Sequence, residues 1–141
     1  MAARLPKDWK DRIELAYENE CDKIIYYLMF KKTKIPKGFN REIGDLAVET
    51  NGLHIVEGPN IVKCMQRRGL GTMLYERAIR DLGFISVEWS DVTVPGKHAW
   101  RSLTTRWPFS LDLSDGVITV YRKRQRRSRR KCDVFVFPHT A

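Results

Sequence analysis

The chain has no Cys-x-x-Cys pair, no apolar run near the length of a membrane span, and no linker rich in glycine, serine or proline. The first absence removes a zinc ribbon and a disulfide framework, because Cys21, Cys64 and Cys132 lie far apart. Three buried or partly buried thiols in a reducing compartment are the expectation, with Cys64, close to arginines, kept open as a reactive thiol. The second absence, with no apolar signal-peptide core at Met1–Lys10, points to a cytoplasmic protein with no membrane partner. The third, at a length of 141 residues, argues for one domain over 1–141. There is also no internal repeat and no His/Cys/Asp/Glu spacing that implies a metal, so no metal site is expected.

Charge is abundant but local. The formal net charge is +9, and the run Arg122, Lys123, Arg124, Arg126, Arg127, Arg129, Arg130 and Lys131 holds eight of the 26 basic residues. The remaining 18 face 17 acidic residues, so the rest of the chain is near neutral. This arm, 122–131, is too charged to pack inside. It reads either as a solvated loop or as a contact for nucleic acid or an acidic partner, since guanidinium groups pair well with phosphates. It has no interleaved aromatics, so base stacking is not indicated.

Periodicity predicts the elements. Residues 5–20 read as a helix, with Trp9, Ile13, Ala16 and Tyr17 near one face. Residues 23–32 form a dense apolar strand. Residues 41–49 and 53–63 read as two strands joined at Asn51-Gly52, a hairpin signal, with Gly58-Pro59 marking a bulge or break in pairing. Residues 68–82 are the clearest helix, with Leu70, Leu74, Ala78 and Leu82 as a stripe and Gly83 as its stop. A strand over 84–94, a helix over 95–106 and closing strands over 116–122 and 131–137 complete the order. The sum is an α/β chain of α+β type: a mixed, mostly antiparallel central sheet with helices on both faces.

One segment carries chemistry. In Gln66-Arg67-Arg68-Gly69-Leu70-Gly71 a strand ends, two arginines follow, and two glycines open a helix. First-turn backbone N–H groups of a helix carry partial positive charge. Glycines let a phosphate approach them, and arginines add charge-assisted bonds. Such a turn can cradle a diphosphate, or it can serve packing alone. Leu74 stands where a dinucleotide fingerprint needs its third glycine, and no Gly-Lys-Ser/Thr follows, so neither nucleotide motif applies.

Gln66 to Gly71 resembles the acetyl-CoA loop of the GNAT superfamily of acetyltransferases, Q/R-x-x-G-x-G/A. Val56-Glu57-Gly58, with Ile61 five residues before Gln66, resembles the strand that precedes it in aminoglycoside-type members. The resemblance extends through the element order over roughly 110 residues. It implies a GNAT-like acyl-CoA N-acyltransferase fold with acetyl-CoA as co-substrate. It further implies a cofactor site of Ile61, Val62, Lys63, Gln66, Arg67, Arg68, Gly69, Leu70, Gly71 and Thr72, with a gap where the strand from Phe84 splays away. An amine acceptor would attack the acetyl carbonyl directly, with Glu57 as first choice of base and His54 as second. The family's general-acid Tyr is missing from the helix over 95–106, and Thr104 or Ser102 stands near its place. Tyr75 and Tyr121 are expected in the core. Trp100, Trp107 and Phe109 are read as core or as lining for an acceptor pocket. The resemblance also implies a homodimer, and it leaves open a catalytically weak binding protein on the same fold that uses its basic arm.

Overall fold

The computed structural model describes residues 4–112 and 114–123. It has a mixed α/β fold whose described residues form two antiparallel sheets. Strands β1 (Ile13–Asn19), β2 (Lys23–Phe30), β3 (Glu42–Glu49) and β4 (Val56–Ile61) pair in chain order. Helix α1 (Leu70–Leu82) leads to β5 (Phe84–Glu88), and helix α2 (Val94–Arg106) leads to β6 (Phe109–Asp112) and β7 (Val117–Tyr121). The second sheet is ordered β5-β7-β6. No helix among the described residues is long and apolar enough to cross a membrane.

The core follows from two periodicities. In β2 every second residue, Ile24, Tyr26, Leu28 and Phe30, is buried. In α1 the stripe Leu70, Leu74, Tyr75, Ala78 and Ile79 is buried and lies across β2, β3, β4 and β5. Gly83 ends the helix in the left-handed region, its N–H donating to the Ile79 carbonyl at 2.8 Å. Helix α2 packs on α1 through Trp100 and Leu103.

Four expectations need correction. Residues 5–20 are not a helix: a 3-10 turn over Trp9–Arg12 gives way to β1, which pairs with β2 from Ile13↔Phe30 to Asn19↔Ile24. Ile13 and Leu15 alternate with exposed Glu14 and Ala16, so a period-2 pattern was also present, and the open edge of β2 selected it. Asn51-Gly52 is not a two-residue hairpin. The connection runs over 50–55, closed by Glu49 N–H donating to Ile55 O at 2.9 Å, because β5 captures its end: Ser86 N–H donates to His54 O at 3.0 Å. The strand from Phe84 stops at Glu88 and turns into a 3-10 helix, and β6, which the sequence reading lacked, forms the edge of the second sheet. Cys21 and Cys64 are exposed rather than buried, one in the β1–β2 turn and one beside Met65, which takes the inward position. The strand expected over 131–137 lies outside the described residues.

Two features position the site. Asp45 pairs with Asn60 and Ala47 with Glu57, so Gly58 and Pro59 together stand opposite Leu46, which is the bulge foreseen at this dipeptide; its peptide bond is cis. The two sheets meet through a single parallel bridge, Ile55↔Ser86, and past it β4 and β5 share no ladder.

Candidate active site

The turn between β4 and α1 is built around Met65, a fully buried anchor in the short 3-10 turn Lys63–Met65. The Gln66 side chain then reaches back, Nε2 donating to Ile61 O at 3.0 Å. Arg67 sits at φ 63° and Gly69 at φ 78°, so the chain turns twice through the left-handed region before entering α1. Gly69 is the N-cap of α1, and no side chain caps this helix. The first-turn N–H groups of Leu70, Gly71 and Thr72 have no intrahelical acceptor.

The two glycines do different work. A Cβ on Gly69 would meet nothing within 4 Å, so this position opens onto free space. A Cβ on Gly71 would stand 3.0 Å from Pro59 Cγ, so this glycine lets α1 close on the bulge of β4. Packing accounts for Gly71, and the left-handed backbone accounts for Gly69, beside which space is open. Arg67 and Arg68 are both exposed beside it. The Arg68 guanidinium lies over the Trp9 ring, 5.7 Å from its centroid, with Lys10 at 5.6 Å from the same ring. Trp9 is separated from Arg68 by most of the first sheet in sequence, and no local pattern pointed to it.

Along β4, Val62 N–H donates to Ile43 O at 2.9 Å. By the alternation of an antiparallel ladder, the N–H and C=O of Ile61 face the other way, toward the unpaired edge, where Gln66 takes the carbonyl. Val62 and Lys63 are exposed. Glu57 is exposed opposite Ala47.

His54 and Thr104 each bond to a backbone carbonyl. His54, at φ 54°, stacks on Phe84 (4.1 Å, 16°) with Nδ1 3.0 Å from the Phe84 carbonyl. A carbonyl only accepts, so Nδ1 carries the proton and Nε2 is the basic nitrogen of the neutral ring. The ring fastens the 50–55 connection to β5. The Thr104 hydroxyl donates to Arg101 O at 2.8 Å on its own helix, which explains its turning from any external partner. No hydrogen bond joins Glu57, His54 and Thr104 to one another among the described residues.

Two buried polar groups stand behind the bulge, and neither was singled out for this role in the sequence. Tyr75, from the second turn of α1, donates its hydroxyl to Gly58 O at 3.0 Å. Burial pushes its pKa up to about 12, opposed by the Trp100 N–H that faces its oxygen. The two rings pack with centroids 5.1 Å apart. Trp100 is fully buried, and its Nε1 faces the Tyr75 oxygen outside strict hydrogen-bond geometry. By contrast, Ser86 and Thr119, also buried, satisfy each other at 2.7 Å. Tyr121 is in the core, as expected, its hydroxyl 3.0 Å from Ser110 Oγ.

The aromatics read as pocket lining are not brought together. Trp107 donates to Glu76 Oε2 at 3.0 Å, and Phe109 is exposed on β6. At the start of the basic arm, Arg122 folds back onto the end of α1, its backbone N–H donating to Gly83 O and its guanidinium to Arg80 O, both at 2.7 Å. That bond satisfies a helix-terminal carbonyl. Lys123 is exposed, and Arg124, Arg126, Arg127, Arg129, Arg130 and Lys131 lie outside the described residues. Among the described residues no three His, Cys, Asp or Glu side chains gather as a metal site.

No protein-family model and no curated relative matches the chain in sequence. Among solved structures the chain is similar to a "putative streptothricin acetyltransferase" from Bacillus anthracis str. Ames, in complex with acetyl coenzyme A. The TM-score is 0.44 at 18% identity, over 74% of this chain and 63% of that one. The chain thus spans less than two thirds of that protein's length.

Proposed function

We propose that this protein is an N-acetyltransferase that moves an acetyl group from acetyl-CoA to a primary amine. The carrying observation is the start of α1: uncapped, opening onto free space at Gly69, and flanked by the exposed Arg67 and Arg68. These residues fit a diphosphate-bearing ligand.

In this reading the amides of Leu70, Gly71 and Thr72 and the two guanidinium groups hold the diphosphate. The unpaired edge of β4 at Ile61 lies alongside the acyl-bearing arm of acetyl-CoA, and the Gln66 amide, now on the Ile61 carbonyl, gives way or shares it. Val62 and Lys63 border the same path. Acetyl-CoA supplies the activated thioester. The acceptor must be a neutral amine: its nitrogen bonds to the carbonyl carbon, the carbon–sulfur bond breaks, and the amine proton goes to a base. Glu57, exposed on β4, takes that proton directly or through water. His54 is the second choice, through Nε2, since its Nδ1 is committed to Phe84. Thr104 must leave the Arg101 carbonyl to protonate the thiolate, so water is the better acid.

The acceptor class follows from the charge of the arm over 122–131, which suits an acidic macromolecule: a protein lysine, a protein N-terminus or an amine linked to nucleic acid. Serine in place of its eight basic residues weakens acceptor binding and its salt dependence while sparing acetyl-CoA. Location in the cytoplasm, a single domain and a homodimer belong to the same proposal.

A catalytically weak binding protein that holds nucleic acid or an acidic partner is the second reading, favoured by one observation, the Thr104 hydroxyl bonded to its own helix in a helix without tyrosine. Thiol release from acetyl-CoA in the presence of lysine peptides, N-terminal peptides and polyamines separates the two. The enzyme reading expects release with at least one amine, and about a 100-fold lower kcat in Glu57→Gln with unchanged acetyl-CoA affinity. Tight acetyl-CoA binding without release on any amine supports the second reading instead.

A further inference from the structure

We propose that the end of the first sheet beside the start of α1 is a basic docking surface for the backbone of duplex DNA, separate from the arm over 122–131. This goes beyond the acetyl-CoA reading and stands without it.

Outside the arm the chain is near neutral in sum, but the fold sorts that charge in space. Residues 4–12, 31–41 and 62–69 carry 12 basic and two acidic residues. The first sheet brings these three segments to one end. Lys31 N–H donates to Arg12 O at 2.8 Å, Phe30 N–H to Arg41 O at 2.8 Å and Val62 N–H to Ile43 O at 2.9 Å, and Arg68 reaches Trp9. The opposite end, residues 18–23 and 49–55, carries four acidic residues and one basic, Lys23, which pairs with Glu20.

At the basic end Arg12 and Arg41 are ion-paired with Asp8 and Glu14, and Lys31 donates to the Asp11 carbonyl. The other nine cations are exposed, and none is in an ion pair among the described residues. Like charges gathered this way repel until an anion answers them. Lys32, Lys34 and Lys37 stand on a loop held by buried Pro36 and by Phe39 against Phe30, ring centroids 6.1 Å apart. A diphosphate at the start of α1 can use Arg67 and Arg68 but leaves these three lysines unanswered, because four strand ends span roughly 14 Å. The three segments expose no aromatic side chain, and Trp9 carries Arg68 and Lys10 over its ring. Stacking on single strands, and the aromatic anchors of protein and membrane partners, are therefore missing. A duplex backbone needs neither, and its charge, about one per 1.7 Å of axis, is dense enough to engage the whole row.

The test measures binding of the full chain to a fluorescent DNA duplex of about 16 base pairs as salt is varied. The parent should bind. Replacing Lys32, Lys34 and Lys37 together by Ser should weaken binding at low salt at least about tenfold and lower the salt slope by about three, roughly one per lost phosphate contact. Lys7→Ser with Lys10→Ser should lower the slope by about two. Asp22→Asn with Glu49→Gln, at the opposite end, should leave it as it is. The arm is intact in every variant, so its own share of the slope cancels. No binding by the parent, an unchanged slope in both lysine variants, or a slope that follows net charge whichever end is altered overturns the proposal. Tighter binding to polyglutamate or to phosphatidylglycerol vesicles than to the duplex, lost with the same lysines, also overturns it and assigns the surface to an acidic protein or a membrane. None of these outcomes depends on whether acetyl-CoA binds.

Discussion

The two helices begin in opposite ways. Helix α2 opens at Thr93, whose hydroxyl oxygen accepts from Gly96 N–H at 3.3 Å, and Pro95 removes another donor from its first turn. Helix α1 opens at Gly69 with no capping side chain, on open space, beside two arginines. The same partial positive charge is answered by a side chain at α2 and by none at α1. Stability is served at one start and, in the proposed function, binding at the other.

The contrast can be broken at several strengths. The largest effect is expected from Gly71→Val, whose branched side chain must enter the space held by Pro59. It should cost about 2–3 kcal/mol in denaturant unfolding and abolish acetyl-CoA binding by prising α1 from β4. Next comes Tyr75, which ties α1 to the bulge and touches α2. Its raised folded pKa means that the unfolded chain loses this proton near pH 10 and the folded chain near pH 12. Its contribution is therefore complete below about pH 10 and falls by about 2–3 kcal/mol as pH rises to about 12. Tyr26, buried and bonded to Asp81, is also pushed up and adds to the alkaline loss. Unfolding curves from pH 9 to 12 should be shallower in Tyr75→Phe; an unchanged slope refutes the assignment.

Smaller still, Thr93→Ala should cost about 1 kcal/mol through the lost cap and leave acetyl-CoA affinity as it was. The smallest change in stability, within about 0.5 kcal/mol, is expected for Arg67→Gln with Arg68→Gln, where calorimetry should nevertheless show acetyl-CoA binding at least about tenfold weaker. Trp9→Leu should reproduce part of that loss, because the guanidinium of Arg68 would lose its ring.

Residues with strong local patterns were legible: the stripe of α1, its glycine stop, the buried face of β2 and the bulge at Gly58-Pro59 all follow from spacing and residue type. The turn from Gln66 to Gly71 was legible as a glycine-bearing start of a helix, although the separate reasons for its glycines were not: the close approach of Pro59 at Gly71 and the left-handed backbone at Gly69. Residues 5–20 fitted two periods, and the choice lay with β2, a partner across a turn. The carbonyl partners of His54 and Arg122, on Phe84 and Arg80, were not legible, because they are distant in the chain. The contacts of Trp9 with Arg68, and of Tyr75 with Gly58 and Trp100, had no local signal because they cross from one element to another.

Thermal unfolding with and without acetyl-CoA tests the central claim most directly. A ligand bound only by the native state, at 100 times its Kd, adds about 2.7 kcal/mol. The account predicts a rise of several degrees in Tm for the parent and a much smaller rise when Arg67 and Arg68 are both replaced by Gln. A parent Tm indifferent to millimolar acetyl-CoA would contradict it.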